Sequence, residues 1–153
     1  RAQQHKGASF LEIYQNCNIF NDGAFEIFTE KGTKAQETLF LEHGQPLVFG
    51  AGQNKGIKLD GFKPVIVDLT EGASKDDLWI HDEKDFYKAQ ILVRMFDDPH
   101  MQGHLPRPFG VFYETERACY EDLMSMQIEE VTAQRGKGDL DKLLRGKETW
   151  TIS

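Results

Sequence analysis

Apolar residues recur along this chain with changing periods, and each change marks an element. Arg1 to Lys6 is polar and stops at Gly7, the pattern of a helix tail closed by a glycine C-cap. Ala8-Ser9-Phe10-Leu11-Glu12-Ile13-Tyr14 follows, a run rich in aromatic and branched side chains that predicts a mostly buried strand. A helix that ends in glycine and runs into a buried strand is half of a βαβ unit, so a parallel sheet is expected. The strand ends in the loop Gln15-Asn16-Cys17-Asn18. In open α/β sheets, ligands bind beyond the carboxyl ends of strands, which makes this loop the first place to look for a site. Asp22-Gly23 then predicts the cap of a short helix carrying Phe25, Ile27 and Phe28 and stopping near Gly32.

The middle of the chain reads as β-rich and antiparallel. Thr38-Leu39-Phe40-Leu41-Glu42 and Leu47-Val48-Phe49-Gly50 flank His43-Gly44-Gln45-Pro46, a hairpin-like pattern. Turn signals at Asn54-Lys55-Gly56 and Asp60-Gly61 bracket Gly56–Leu59, and Pro64–Leu69 is a further strand candidate. From Asp82 the period becomes helical. Phe86, Ala89, Val93 and Phe96 share a face, with Asp82 as cap and Pro99 just beyond the end. The stretch from Asp97 to Pro108 holds three prolines and two histidines and is expected to be irregular. A second helix from about Thr115 to Arg135 puts Tyr120, Met124, Ile128 and Val131 on one face and stops at Gly136. Asp139 caps a last piece bearing Leu140, Leu143 and Leu144, closed by Gly146.

Composition narrows the function classes. At 153 residues the chain suits one domain, long enough to bury about two thirds of its unfolded surface. A net charge of -7 argues against nucleic acid or an anionic membrane as partner, because phosphates attract Lys and Arg surfaces. No stretch approaches the ~20 consecutive apolar residues of a membrane helix, and no charged-then-apolar leader is seen. The chain opens on Arg1 rather than Met, which reads as a fragment or a processed chain. Two cysteines, Cys17 and Cys119, are too few for a disulfide framework or a complete Cys-x-x-Cys metal site.

Few residues carry chemistry that survives its plainer reading. Gly50-Ala51-Gly52-Gln53-Asn54-Lys55-Gly56 misses the dinucleotide fingerprint by one position and lacks a Gly-Lys-Ser/Thr ending, so these are turn glycines. His100 and His104 with Asp97 and Asp98 have metal-compatible spacing, yet lie in a proline-broken loop and read as solvated. The acids Asp76, Asp77, Asp82, Glu83 and Asp85 read as a solvated face containing a helix cap. Cys17 is different. A cysteine just past a buried strand, among Asn16, Asn18 and Asn21, is poorly placed as core filler. Thiolates ligate iron–sulfur clusters, and amide donors nearby tune them. One cysteine cannot hold a cluster, so that reading needs ligands from outside this chain, and a free thiol stays open beside it.

Three segments bring in a resemblance. His5-Lys6-Gly7-Ala8-Ser9-Phe10-Leu11-Glu12-Ile13-Tyr14-Gln15-Asn16-Cys17, continuing through Phe20-Asn21-Asp22-Gly23, is very similar to the post-cofactor region of the β subunits of 2-oxoacid:ferredoxin oxidoreductases. Leu105-Pro106-Arg107-Pro108-Phe109-Gly110-Val111-Phe112 resembles that family's proline–glycine–valine–phenylalanine signature. Gly138-Asp139-Leu140-Asp141 through Glu148-Thr149-Trp150-Thr151-Ile152 resembles the closing segment of the 2-oxoglutarate branch.

The resemblance implies an α/β fold: the end of a thiamine-diphosphate-binding parallel sheet over 1–22, then a C-terminal extension of β-hairpins and helices over 23–153. It implies an enzyme that oxidatively decarboxylates a 2-oxo acid with coenzyme A to acyl-CoA and carbon dioxide and passes electrons to ferredoxin. Thiamine diphosphate with Mg2+ and a 4Fe–4S cluster are the implied cofactors, an α subunit the implied partner, and the cytoplasm the implied compartment. Cys17 matches the fourth cluster ligand, with Asn16 and Asn18 as neighbours of its sulfur, while Cys119 matches no ligand position. The Gly-Asp-Gly…Asn motif for Mg2+ and diphosphate is absent, so the chain alone is expected to be inactive and to bind no cofactor by itself. Eleven phenylalanines suit an extension that packs on a partner. Pyruvate or a branched-chain oxo acid is the alternative substrate. A non-catalytic docking domain using Lys31, Lys34, Lys55, Lys58 and Lys63 is a competing reading, and a metalloenzyme built on His100, His104 and Asp97 is another.

Overall fold

A computed structural model describes residues 1–98, 100–147, 150 and 152. It forms two compact units, 12–115 and 1–11 with 116–153. The fold is mixed α/β: a parallel two-stranded sheet, an antiparallel three-stranded sheet and helices.

In the unit 12–115, turn chemistry builds the antiparallel sheet. Strands β1 (Thr38–Phe40), β2 (Val48–Phe49), β3 (Lys55–Asp60) and β4 (Lys63–Asp68) follow one another, and β2, β3 and β4 pair in that order. Asp60 pairs with Lys63 across a two-residue loop whose first member, Gly61, has φ +59°. A glycine with positive φ at that position is what a type II′ hairpin turn requires. The turn signal read from the sequence therefore makes the turn.

The expected hairpin over 38–50 does not form. β1 pairs in parallel with β5 (Arg107–Phe109), matching Leu39 to Pro108, while β2 joins the other sheet. The reason is that the intervening loop spends its backbone elsewhere. Gly44 N–H donates to the His81 carbonyl, His81 N–H to the Gln45 carbonyl, and Leu47 N–H to the Trp79 carbonyl. With Pro46 bridged to Ile80, the 44–47 segment runs beside 79–81 instead of folding back on Leu41.

The core lies on this junction. Leu39, Leu47, Phe49, Ile57, Trp79, Leu92 and Met95 form one buried cluster, closed by the partly buried Leu41, Leu105 and Phe112. Leu47, Ile57 and Trp79 exchange backbone hydrogen bonds in a ring of 2.8–2.9 Å contacts. Three core side chains from three segments are thus fixed by one backbone network.

Helices in this unit are short. After α1 (Glu26–Thr29) and α2 (Lys34–Glu37), α3 covers only Phe86–Leu92. Its cap is Asp85, which accepts the Lys88 N–H, because Asp82 already accepts the N–H of Lys84 in a local turn. The predicted face shifts accordingly: Ala89 and Leu92 are buried, whereas Phe86 and Val93 are about half exposed. Phe96 lies beyond the helix, and Pro99, expected as its stop, falls outside the described residues.

The run 8–14 makes no strand. Backbone donors and acceptors of a strand need a neighbour, and no described strand pairs with this run. Phe10 and Ile13 stand 92% and 73% exposed, the reverse of the burial expected for them.

In the other unit, the opening residues make one turn, with His5 N–H donating to the Arg1 carbonyl, and Gly7 follows at φ +113°. Lys6 pairs with Asp122 near the start of α4 (Tyr120–Arg135), which ends at Gly136 as expected but begins five residues later than Thr115. Its apolar stripe, including Tyr120, Met124, Ile128 and Val131, is exposed throughout. Asp139 caps α5 (Leu140–Arg145) through the Lys142 N–H, and Leu140, Leu143 and Leu144 are likewise exposed. Of the closing segment that carries the third resemblance, Glu148, Thr149 and Thr151 fall outside the described residues.

Candidate functional site

Cys17 sits where the chain reverses between Tyr14 and α1. The Asn21 N–H donates to the Cys17 carbonyl at 3.0 Å, and the Cys17 N–H donates to the Asn21 side-chain oxygen at 2.8 Å. This reciprocal pair closes a tight turn that brings the backbone of Ile19 and Phe20 beside the thiol, while the Asn21 N–H is engaged by the Cys17 carbonyl. These backbone groups lower the thiol's pKa below the ordinary cysteine value, Ile19 and Phe20 most, against a smaller opposing effect of burial. Hydrogen bonds to the anion favour the anion, and the anion is the form that ligates metals. The residues here therefore fit one thiolate ligand of a cluster.

The flanking amides divide the work differently from expectation. Asn16 donates from its side-chain nitrogen to Asp22 at 3.0 Å and accepts the Gly23 N–H at 3.0 Å, so it staples the two ends of the loop together. Asn18 is exposed. Asn21 holds the Cys17 backbone directly. A carboxamide four residues after the cysteine was the sequence signal for that bond, but only the turn geometry gives it meaning.

An aromatic base supports the loop. Tyr14 stacks on Phe25 with ring centroids 4.5 Å apart and meets Phe109 edge-on at 5.6 Å. Arg107 donates to the Tyr14 hydroxyl at 2.7 Å. An open groove of about 590 Å³ runs beside this cluster, lined among others by Tyr14, Asn16, Phe28, Phe40 and Phe109. The first and second resembling segments, far apart in sequence, thus meet here.

The remaining candidates fall into structural roles. His104 points its Nδ1 at the Met101 carbonyl and its Nε2 at the Glu37 carboxylate, so both ring nitrogens are occupied. Asp97 accepts the Leu105 N–H, and Asp98 accepts the His100 N–H. Among the described residues no three His, Cys, Asp or Glu side chains converge on a metal-sized space. Cys119 precedes α4 as its N-cap without a side-chain capping bond. Glu83, read as part of a solvated face, is buried.

Burial lowers the His104 pKa, but the Glu37 carboxylate and the Met101 carbonyl outweigh it, and the net shift is upward. The folded state then holds this proton more tightly than the unfolded state. The pair stabilises fully below about pH 6.5, the unfolded value, and its contribution fades as pH rises through the raised folded value. Thermal melts across pH 5–9 should show that loss in the native chain. Glu37→Gln should remove this component of the slope, and an unchanged slope would show that the pair does not titrate as described.

No family profile matches the chain, and no solved structure matches it. A curated protein does: the 2-oxoglutarate oxidoreductase subunit KorB of Mycobacterium tuberculosis is 33% identical over 99% of this chain. The chain spans 40% of that relative's length. With 99% of its residues aligned, all three resembling segments lie within or at the edge of the match, and the chain is similar, nearly end to end, to part of a 2-oxoglutarate oxidoreductase subunit.

Proposed function

We propose that this chain is the C-terminal part of the β subunit of a 2-oxoacid:ferredoxin oxidoreductase, acting on 2-oxoglutarate with coenzyme A. The observation that carries the reading is the near end-to-end similarity to KorB, joined to a cysteine held in a thiolate-stabilising turn. Cys17 serves as the fourth ligand of a 4Fe–4S cluster, the other ligands coming from elsewhere in the subunit. Such a cluster accepts and releases electrons one at a time, on to ferredoxin.

The chain's own contribution is positional. The amides of Ile19, Phe20 and Asn21 lower the Cys17 pKa and so favour its anionic form, and Asn16 and Asn21 close the loop around it. Thiamine diphosphate and Mg2+ belong to the residues before this chain, since nothing here matches their motif, and no step is assigned to them. Residues 1–22 close the cofactor-binding domain and 23–153 form the extension. The exposed run with Phe10 and Ile13 finds its sheet partner in that domain, and exposed side chains of the extension meet the α subunit. Among the described residues no helix is long and apolar enough to cross a membrane, and the cytoplasm is the compartment that suits a low-potential cluster and free thiols.

The test uses the full-length subunit assembled anaerobically with its α subunit. Coenzyme-A-dependent reduction of ferredoxin is followed with 2-oxoglutarate, pyruvate and a branched-chain oxo acid. We expect 2-oxoglutarate to give a kcat/KM at least about tenfold above the others. Preference for pyruvate would move the substrate assignment, and no reduction with any of the three would sink the reading.

A further inference from the structure

The loop that carries Cys17 is bracketed by two rings that stack on each other, Tyr14 before it and Phe25 after it, at 4.5 Å and 21°. Closing a loop by a contact between its ends fixes the loop only if that contact is itself held. Two supports are visible at Tyr14. Phe109 meets its ring edge-on, and Arg107 binds its hydroxyl through Nη1 at 2.7 Å. The same guanidinium donates through Nη2 to the Asp97 carbonyl at 3.1 Å. Its central carbon lies 4.4 Å from the Phe96 ring centroid and 5.1 Å from that of Phe28.

We propose that Arg107 is the positioning residue of the Cys17 loop, holding Tyr14 through one arm of its fork while its other arm and two aromatic faces anchor it to the core side of the unit. The inference deepens the reading of Cys17 as a cluster ligand and rests on it for its meaning in the enzyme. A fork with two acceptors in different segments and two aromatic faces suits arginine and not lysine, whose single ammonium offers no planar surface to stack. Arg107 also explains why the proline–glycine–valine–phenylalanine segment matters at a distance. That segment delivers Arg107 and Phe109 together from β5, and Val111 accepts a hydrogen bond from the buried His81 ring at 2.9 Å, which ties β5 to the core. The loop is therefore set by a donor and an acceptor 93 positions apart in the sequence.

Native-state hydrogen exchange on the full-length subunit, prepared in its cluster-free form, tests this. The amides to watch are those of Cys17, Asn21 and Gly23, each hydrogen-bonded inside the loop. Tyr14→Phe and Arg107→Met should each speed their exchange about tenfold, the effect of losing a hydrogen bond to a charged group. The double variant should exchange no faster than the faster single one, because both remove the same contact. Arg107→Lys should fall short of native protection, and β3 and β4 amides should keep native rates throughout. Native exchange at the loop in Tyr14→Phe would overturn the proposal. So would full rescue by Arg107→Lys, or a rise shared equally by β3 and β4, which would mark a general structural role. Should Arg107→Met fail to fold, Tyr14→Phe and Arg107→Lys decide alone. Cluster content plays no part in this readout, so Arg107 can fail as a positioning residue while Cys17 stands as a ligand, or the reverse.

Discussion

With Cys17 as the proposed cluster ligand, Cys17→Ala in the full-length subunit, co-expressed anaerobically with the proposed α subunit, should leave an assembled complex without a 4Fe–4S cluster. Iron and acid-labile sulfide per complex should fall to background, together with the visible absorbance of the cluster. The backbone of Ile19, Phe20 and Asn21 lowers the pKa of the Cys17 thiol, which favours the metal-ligating form, and alanine removes the sulfur on which they act. A cluster with three remaining thiolates has an open iron, which is labile, and ferredoxin reduction should stop with it. Cys119→Ala is the control. That cysteine lies at the N-cap of α4 in the other compact unit, and its loss should leave iron content at the native level. Full iron with normal ferredoxin reduction in Cys17→Ala would make Cys17 a bystander and withdraw the site, though not the similarity to KorB.

Local chemistry was legible in the sequence and remote pairing was not. Asp60-Gly61 announced a two-residue turn, and the turn forms, because its geometry depends only on residues that sit in it. Asp139 announced a helix cap, and it accepts the N–H of Lys142 three residues on, for the same reason. The hairpin expected over 38–50 failed because its strands had better partners. β1 found β5, and the loop after it found 79–81, neither of which a window along the chain can see. The run 8–14 has strand composition without a strand to pair with among the described residues, which shows that composition sets capacity and neighbours set outcome. At the site, position after an apolar run singled out Cys17. The stapling by Asn16, the backbone bond of Asn21 and the support from Arg107 needed the folded turn, since each depends on where a donor points.

The close approach of β5 to β1 makes the second strong prediction: Gly110→Ala should cost about 3 kcal/mol or more of folding stability. Gly110 follows β5 directly and has φ +138°, a conformation that side-chain-bearing residues rarely adopt. Holding alanine there costs roughly 1–3 kcal/mol before any contact is counted. A Cβ would also come within 2.9 Å of both the Cβ and the carbonyl oxygen of Leu41. Backbone oxygen cannot swing away as a side-chain tip can, so β5 would have to move off β1. That movement breaks the bond from the Leu41 N–H to the Phe109 carbonyl, now 2.8 Å, and loosens Leu41 against the buried cluster. A domain of this size has about 5–15 kcal/mol in total, so urea midpoints should fall sharply. Gly52→Ala gives the contrast. Gly52 has no positive φ and nothing within 4 Å of an added Cβ, and its replacement should stay within about 0.5 kcal/mol of native. Because β5 also presents Arg107 and Phe109 to Tyr14, a shifted β5 should release the Cys17 loop as well. Equal midpoints for the two glycine variants would mean that the β1–β5 joint is looser than its distances say, and that the support assigned to the loop does not come from this strand.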